Sequence, residues 1–265
     1  MAVDFNIKDK YSFNDLIEIM QLLRSENGCP WDREQTHESI KNNFIEETYE
    51  VIEAINKDDK DLLKEELGDA LLQVVFHAQI EAEQNSFNIN DVSDGICKKL
   101  IERHPHIFGD VIVNNTKDVL SNWDDIKRNS KGQKTQTDSM LSVPKELPAL
   151  MRSEKVQQKA SKIGFDWSKI DGAFDKLSEE IDELKQAIIN NDRENCFEEL
   201  GDVLFSAVNV SRFLDFHPEE ALTASTEKFI ERFNIVENLA NDRGIDMKSS
   251  SLEVLDKLWV EAKQN

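Results

Sequence analysis

Glycine and proline are scarce in this sequence, at 9 and 5 of 265 residues, about half their average usage or less. Sandwiches, barrels and doubly wound folds need many turns and glycine-rich loops, so this scarcity points to a mostly helical chain. Long apolar runs are also missing. The longest, residues 70–80, is broken by Gln73, His77 and Gln79, and a membrane span needs roughly 20 apolar residues; no membrane association is expected. The N-terminal MAVDFNIKDK lacks the charged-then-apolar layout of a secretion signal. Cysteine is confined to Cys29, Cys97 and Cys196, odd in number and without CxxC spacing. Reduced thiols in a cytoplasmic protein are therefore expected. Positive charge is short as well: 32 Lys and Arg stand against 53 Asp and Glu, a formal net charge of −21. Such a chain repels polyphosphate backbones, which argues against a nucleic-acid polymer as partner. Small phosphorylated ligands stay open, because a bound divalent cation reverses the local sign.

What the chain has in abundance is helical periodicity. Apolar residues recur at 3–4 spacing over residues 14–24, opened by Ser12 with Asp15 three positions on, then over 39–56, 62–84 and 91–103. Residues 27–31 read as a loop, 108–113 as a short extended segment and 119–128 as a further helix. Residues 129–138, NSKGQKTQTD, are polar and aperiodic, and Pro144 and Pro148 follow. A linker is placed at 129–147, between domains at 1–128 and 148–265. Helices resume over 149–162, 172–189, 193–214, 219–240 and 252–263.

The two domains repeat each other. Residues 41–80 slide onto 174–213 without a gap, and 13 of 40 positions are identical. The identities cluster in EExxE (Glu46, Glu47, Glu50; Glu179, Glu180, Glu183) and EELGD (65–69; 198–202). Each copy also has Gly-x-x-Trp upstream (Gly28 and Trp31; Gly164 and Trp167) and Lys-x-x-x-Arg downstream (Lys99 and Arg103; Lys228 and Arg232).

Positions i, i+3 and i+4 share a helix face, so Glu47 and Glu50 project together, as do Glu66 and Asp69. In an antiparallel hairpin, Glu47 and Asp69 are equidistant from residue 58, and so are Glu50 and Glu66. In the second copy, Glu180 pairs with Asp202 and Glu183 with Glu199 about residue 191, inside the turn-forming Asn190–Asn191–Asp192. Four carboxylates thus converge in each hairpin, an arrangement that is unfavourable unless they are protonated or bridged by a cation. An all-oxygen donor set without His or Cys suits Mg²⁺ or Mn²⁺. Gly68 and Gly201, recurring in mid-helix, suggest close helix approach. Lys99 with Arg103 and Lys228 with Arg232 read either as surface ion pairs or as phosphate clamps. Trp259 and Lys263, again i and i+4, read as a base platform with a phosphate contact, or as core packing. Trp167 reads as a core anchor or a ligand contact. His104 and His106 flank Pro105 and read as loop or capping residues.

The residues that carry a family resemblance are now in place: GCPWD (28–32), EETYE (46–50), EELGD (65–69), ERHPHIF (102–108), LPALMR (147–152), GFDW (164–167), EEIDE (179–183) and EELGD (198–202). Over residues 12–263 the sequence resembles the MazG family of all-α nucleoside triphosphate pyrophosphohydrolases. The resemblance implies a tandem repeat of two four-helix units that dimerises through helical bundles. It implies hydrolysis of NTPs and dNTPs to monophosphate and pyrophosphate with Mg²⁺. Carried over by motif, Glu180, Glu183, Glu199 and Asp202 would hold metal; Lys176, Lys228 and Arg232 would touch phosphates; and Trp259 and Lys263 would complete the nucleotide site, to which Trp167 is added as a candidate substrate contact. Glu47, Glu50, Glu66 and Asp69 would form a second metal site. Asn43 stands where the second copy has Lys176, so the main catalytic unit is expected in residues 148–265.

The implied reaction is metal-assisted attack of water at the α-phosphorus. Glu179 or Glu180 would take the proton, and Lys228 and Arg232 would stabilise phosphate oxygens. Two rivals compete. A di-iron carboxylate bundle requires Glu-x-x-His on two helices, and only Glu34–His37 fits. The other rival is a non-catalytic helical dimer that senses nucleotides or binds a partner.

Overall fold

The computed structural model describes residues 5–113, 115, 116, 118, 119, 122, 123, 126 and 132–264. The chain divides into two compact units, Met1–Lys127 and Arg128–Asn265. All regular elements among the described residues are helical, and the extended segment expected at 108–113 is absent there.

In the first unit, α1 (Phe13–Arg24) opens on a capping box in which Ser12 and Asp15 satisfy each other's backbone donors. The loop expected at 27–31 gives way to a short helix, α2 (Pro30–Glu34), because Pro30 takes the first helical position, where its missing N–H costs nothing. The central hairpin is α3 (His37–Asn56) and α4 (Lys60–Glu83), followed by α5 (Ile89–Arg103) and α6 (Pro105–Phe108). His104 caps the end of α5 and sits edge-on to Trp123, consistent with its capping reading. Met20, Ile40, Val75, Phe76, Ala78, Ile80 and Ile89 form the core, where α1 packs across α4.

The second unit begins inside the expected linker with α7 (Gln136–Leu141). A Thr135–Asp138 capping box nucleates it, and the buried Ser139 receives a 2.7 Å bond from Lys159 Nζ on α8 (Ala149–Ser161). The hairpin here is α9 (Ile170–Ile189) and α10 (Arg193–Phe213). It packs on α8, and α11 (Pro218–Asp242) and α12 (Leu252–Ala262) form a second small core around Val236, Ala240, Leu258 and Ala262. The helix expected at 119–128 and the first linker residues fall largely outside the described residues.

Both hairpins close in the same way. Asp58 and Asn191 adopt left-handed φ values of 51° and 54°, at the two turn centres that the carboxylate spacing implies. The next residue's N–H reaches back to Ala54 O in one hairpin and to Ala187 O in the other, the Schellman closure. Asx residues fill positions that glycine usually takes, so glycine can stay scarce. Ala54 and Ala187 are 0 % and 1 % exposed; their small side chains let the helices converge at the turn. The close approach expected at Gly68 and Gly201 is not found, since a Cβ at either meets nothing within 4 Å. Both glycines are exposed, on faces that no described element covers.

Candidate metal and nucleotide site

The hairpins bring the predicted carboxylates together. One oxygen from each of Glu47, Glu66 and Asp69 lies within 4.8 Å of the others, and the same holds for Glu180, Glu199 and Asp202. Glu50, beside Glu47 and Glu66, and Glu183, beside Glu180, fall outside these closest groups of three. The inner ligand of each set is almost shut off from solvent: Glu66 is 9 % exposed and Glu180 5 %.

Charge crowding shows in the titration of these groups. Burial pushes the Glu47, Glu66 and Glu199 carboxyls above the ordinary value, and neighbouring carboxylates add to it. Glu183 is pushed up first by its contact with Glu180 and then by burial. In the second hairpin Lys176 Nζ lies 2.8 Å from Glu179 Oε1 and 2.7 Å from Glu180 Oε1, and these two partners hold its ammonium well above the usual lysine range. Among the described residues no ion pair reaches Glu47, Glu50, Glu66 or Asp69; Gln73 Nε2 alone donates there, to Glu47 Oε1 at 3.4 Å. An all-oxygen donor set with excess negative charge and partial burial fits a hard divalent cation.

The remaining predicted residues lie on other elements. Lys228 and Arg232 stand one turn apart on α11, as Lys99 and Arg103 do on α5. In each pair the lysine is exposed and the arginine half-buried, and none of the four makes an ion pair with a described residue. Trp259 packs on Phe229 at 5.1 Å between ring centroids and joins the α11–α12 core, and the exposed Lys263 caps α12. Glu179 is exposed and tied to Lys176.

Trp167 lines a cavity of about 420 Å³ with Phe165, Gln157, Phe205, Asn209 and Arg212. Arg212 clamps Asp166 bidentately at 2.6 and 2.8 Å and holds its carboxyl below the ordinary range. Gly172 is required here, because a Cβ would lie 2.4 Å from Trp167 Cδ1. Phe205, Asn209 and Arg212 follow Asp202 at helical spacing on α10, so the cavity continues the metal-ligand side of that helix. Motif reading missed these three residues, although their i+3, i+7, i+10 spacing from Asp202 was a signal available in the sequence.

Comparison with known proteins bears on both hairpins. The family model described as the MazG nucleotide pyrophosphohydrolase domain matches residues 35–108 and again 172–237. The chain is 47 % identical over 251 residues to the nucleoside triphosphate pyrophosphohydrolase/pyrophosphatase MazG of Thermotoga maritima, covering 95 % of each protein. It is 44 % identical over 254 residues to the nucleoside triphosphate pyrophosphohydrolase of Escherichia coli K12, covering 94 % of this chain and 96 % of that one.

Proposed function

The chain belongs to the MazG nucleotide pyrophosphohydrolase family, and from that premise we propose that it is an Mg²⁺-dependent enzyme that hydrolyses NTPs and dNTPs to nucleoside monophosphate and pyrophosphate. The observation that carries this is the pair of three-carboxylate clusters, one in each hairpin, within the two family matches. Glu180, Glu183, Glu199 and Asp202 are assigned as the working metal ligands, and Glu47, Glu50, Glu66 and Asp69 as a second set. Mg²⁺, or Mn²⁺ in its place, held by these carboxylates would supply Lewis-acid polarisation and positive charge against the developing negative charge.

The chain's own residues do the rest. Glu179 lies outside the closest three-carboxylate group and is held beside Lys176. It is assigned to take the proton as water attacks the α-phosphorus, with Glu180 as the alternative base. The bond from that phosphorus to its bridging oxygen breaks, and the electron pair leaves with pyrophosphate. Lys176, Lys228 and Arg232 neutralise phosphate oxygens. Trp167, which lines the aromatic cavity, is assigned to the base; Trp259 and Lys263 are assigned to the nucleotide as well. The working units are assigned to residues 1–128 and 148–265, and the segment 129–147 contributes α7, which packs on α8 of the second unit.

Two copies are proposed to associate through apolar helix faces left open in the protomer, on which Phe197, Leu200 and Leu204 are 82 %, 48 % and 51 % exposed. The acidic surface disfavours nucleic-acid polymers as partners. Among the described residues no helix is long and apolar enough to cross a membrane. The three unpaired cysteines suit a cytoplasmic setting.

Chromatography of ATP turnover tests the reading. AMP and pyrophosphate in equal amounts, without ADP, are expected; ADP plus orthophosphate as first products would overturn it.

A further inference from the structure

The two hairpins share a fold and a carboxylate set but differ in one cation. Lys176 Nζ sits 2.7 Å from Glu180 Oε1, a ligand oxygen of the second site, and 2.8 Å from Glu179 Oε1. Its counterpart is Asn43, which carries no charge, and no lysine or arginine pairs with the first site among the described residues. We propose that Lys176 is a built-in counter-ion that occupies the second site's carboxylates until a polyphosphate draws it away, so that this site loads its divalent cation together with substrate while the first site loads without it.

The argument rests on the metal reading above and on electrostatics. A cation entering the second site must either displace an ammonium from two carboxylates or bind beside it, and both weaken the site. Among the described residues the first site meets no such competition; the donor beside it there is the neutral amide of Gln73, 3.4 Å from Glu47. Lys176 is partly exposed and lies one turn ahead of Glu180 on α9. Its long side chain can therefore leave Glu180 without unpacking the helix. A triphosphate brings about four negative charges and offers the ammonium a new partner. Metal and polyphosphate then favour each other at this site by equal factors, as linkage requires. A tight, nucleotide-independent cation in the first hairpin fits a structural role there, and a weak one in the second makes its assembly depend on substrate.

Mn²⁺ titration of the full chain, read by the electron paramagnetic resonance of the free ion, tests this without turnover. Wild type should show two classes of site whose affinities differ on the order of tenfold or more. Asp69→Asn should abolish the tight class and Asp202→Asn the weak one. Lys176→Asn should tighten the weak class towards the other, and Asn43→Lys should loosen the tight class, a reciprocal change that general destabilisation does not produce. An α,β-methylene triphosphate, corrected for the metal it binds alone, should tighten the weak class in wild type and do so much less in Lys176→Asn. Equal sites in wild type that ignore Lys176→Asn overturn this inference alone, as does a tight class lost in Asp202→Asn. Absence of Mn²⁺ binding at any site overturns the metal assignment and this inference with it.

Discussion

Glu180 and Asp202 illustrate how one side chain's surroundings decide its chemistry. Glu180 is 5 % exposed, among like charges that cost far more there than on a solvated face. Because the ligands act as a unit, Asp202→Asn or Glu183→Gln should lower turnover by orders of magnitude while circular dichroism stays that of wild type. Activity within about threefold of wild type would remove these residues from the site. The crowding also sets a pH signature. Glu47, Glu66, Glu183 and Glu199 hold protons more tightly when folded than at their ordinary value of 4.5. The folded state therefore binds more protons than the unfolded one between that value and the raised ones. Stability from these groups is present at the acid end, falls as pH rises through the window and stays lost above it. Divalent cation replaces those protons, so the rise in Tm on adding Mg²⁺ should be larger at about pH 7.5 than at about pH 5. Comparing loaded with unloaded melts isolates the clusters, because Glu81, Glu83 and Asp166, held down by His37, Arg24 and Arg212, titrate alike in both. Equal increments at the two pH values would mean that the clusters are not the cation's ligands.

The hairpins show what sequence can and cannot reveal. Carboxylate spacing alone located residues 58 and 191, and both are the left-handed turn residues of the structure. The spacing works because two antiparallel helices with a fixed rise per residue leave little freedom in register. Asn191→Ala should cost about 1 kcal/mol against Asn191→Gly, since alanine lacks asparagine's tolerance of that conformation. Urea midpoints of the two variants measure the difference, and equal midpoints would show that the turn is not held by that residue. Other features were less legible. The helix within the linker depends on Ser139 meeting Lys159 from another helix, a long-range contact that local polarity hides. The cavity beside Trp167 is assembled from α8, the GFDW loop and α10, and no single motif spans all three. Gly68 and Gly201 looked like close-packing residues, but each faces open space. Conserving a residue type across two copies does not say which surface it serves.

Taken whole, the molecule duplicates one acidic hairpin and then treats the copies differently. A metal site alone does not hydrolyse a nucleotide, because the triphosphate's charges need cationic donors as well. The second unit offers Lys176 within the carboxylate cluster, Lys228 and Arg232 on α11 and Lys263 on α12. Its aromatic cavity lies on the same helix as Asp202. The first unit offers Lys99 and Arg103 on α5 but has Asn43 in place of the lysine. Trp123 and Lys127 repeat the Trp–Lys spacing there, with Lys127 outside the described residues. Turnover should therefore reside mainly in residues 148–265, with the first unit serving assembly or regulation. The double variants Glu50→Gln/Asp69→Asn and Glu183→Gln/Asp202→Asn, made in the full chain, separate the two. Each removes a pair of charges from one hairpin while keeping side-chain shape, so both proteins should fold. The second pair should reduce pyrophosphate release by orders of magnitude, and the first should leave most of it. If instead the first pair abolishes turnover and the second does not, catalysis belongs to the half that lacks the lysine, and the cationic-donor argument fails with it.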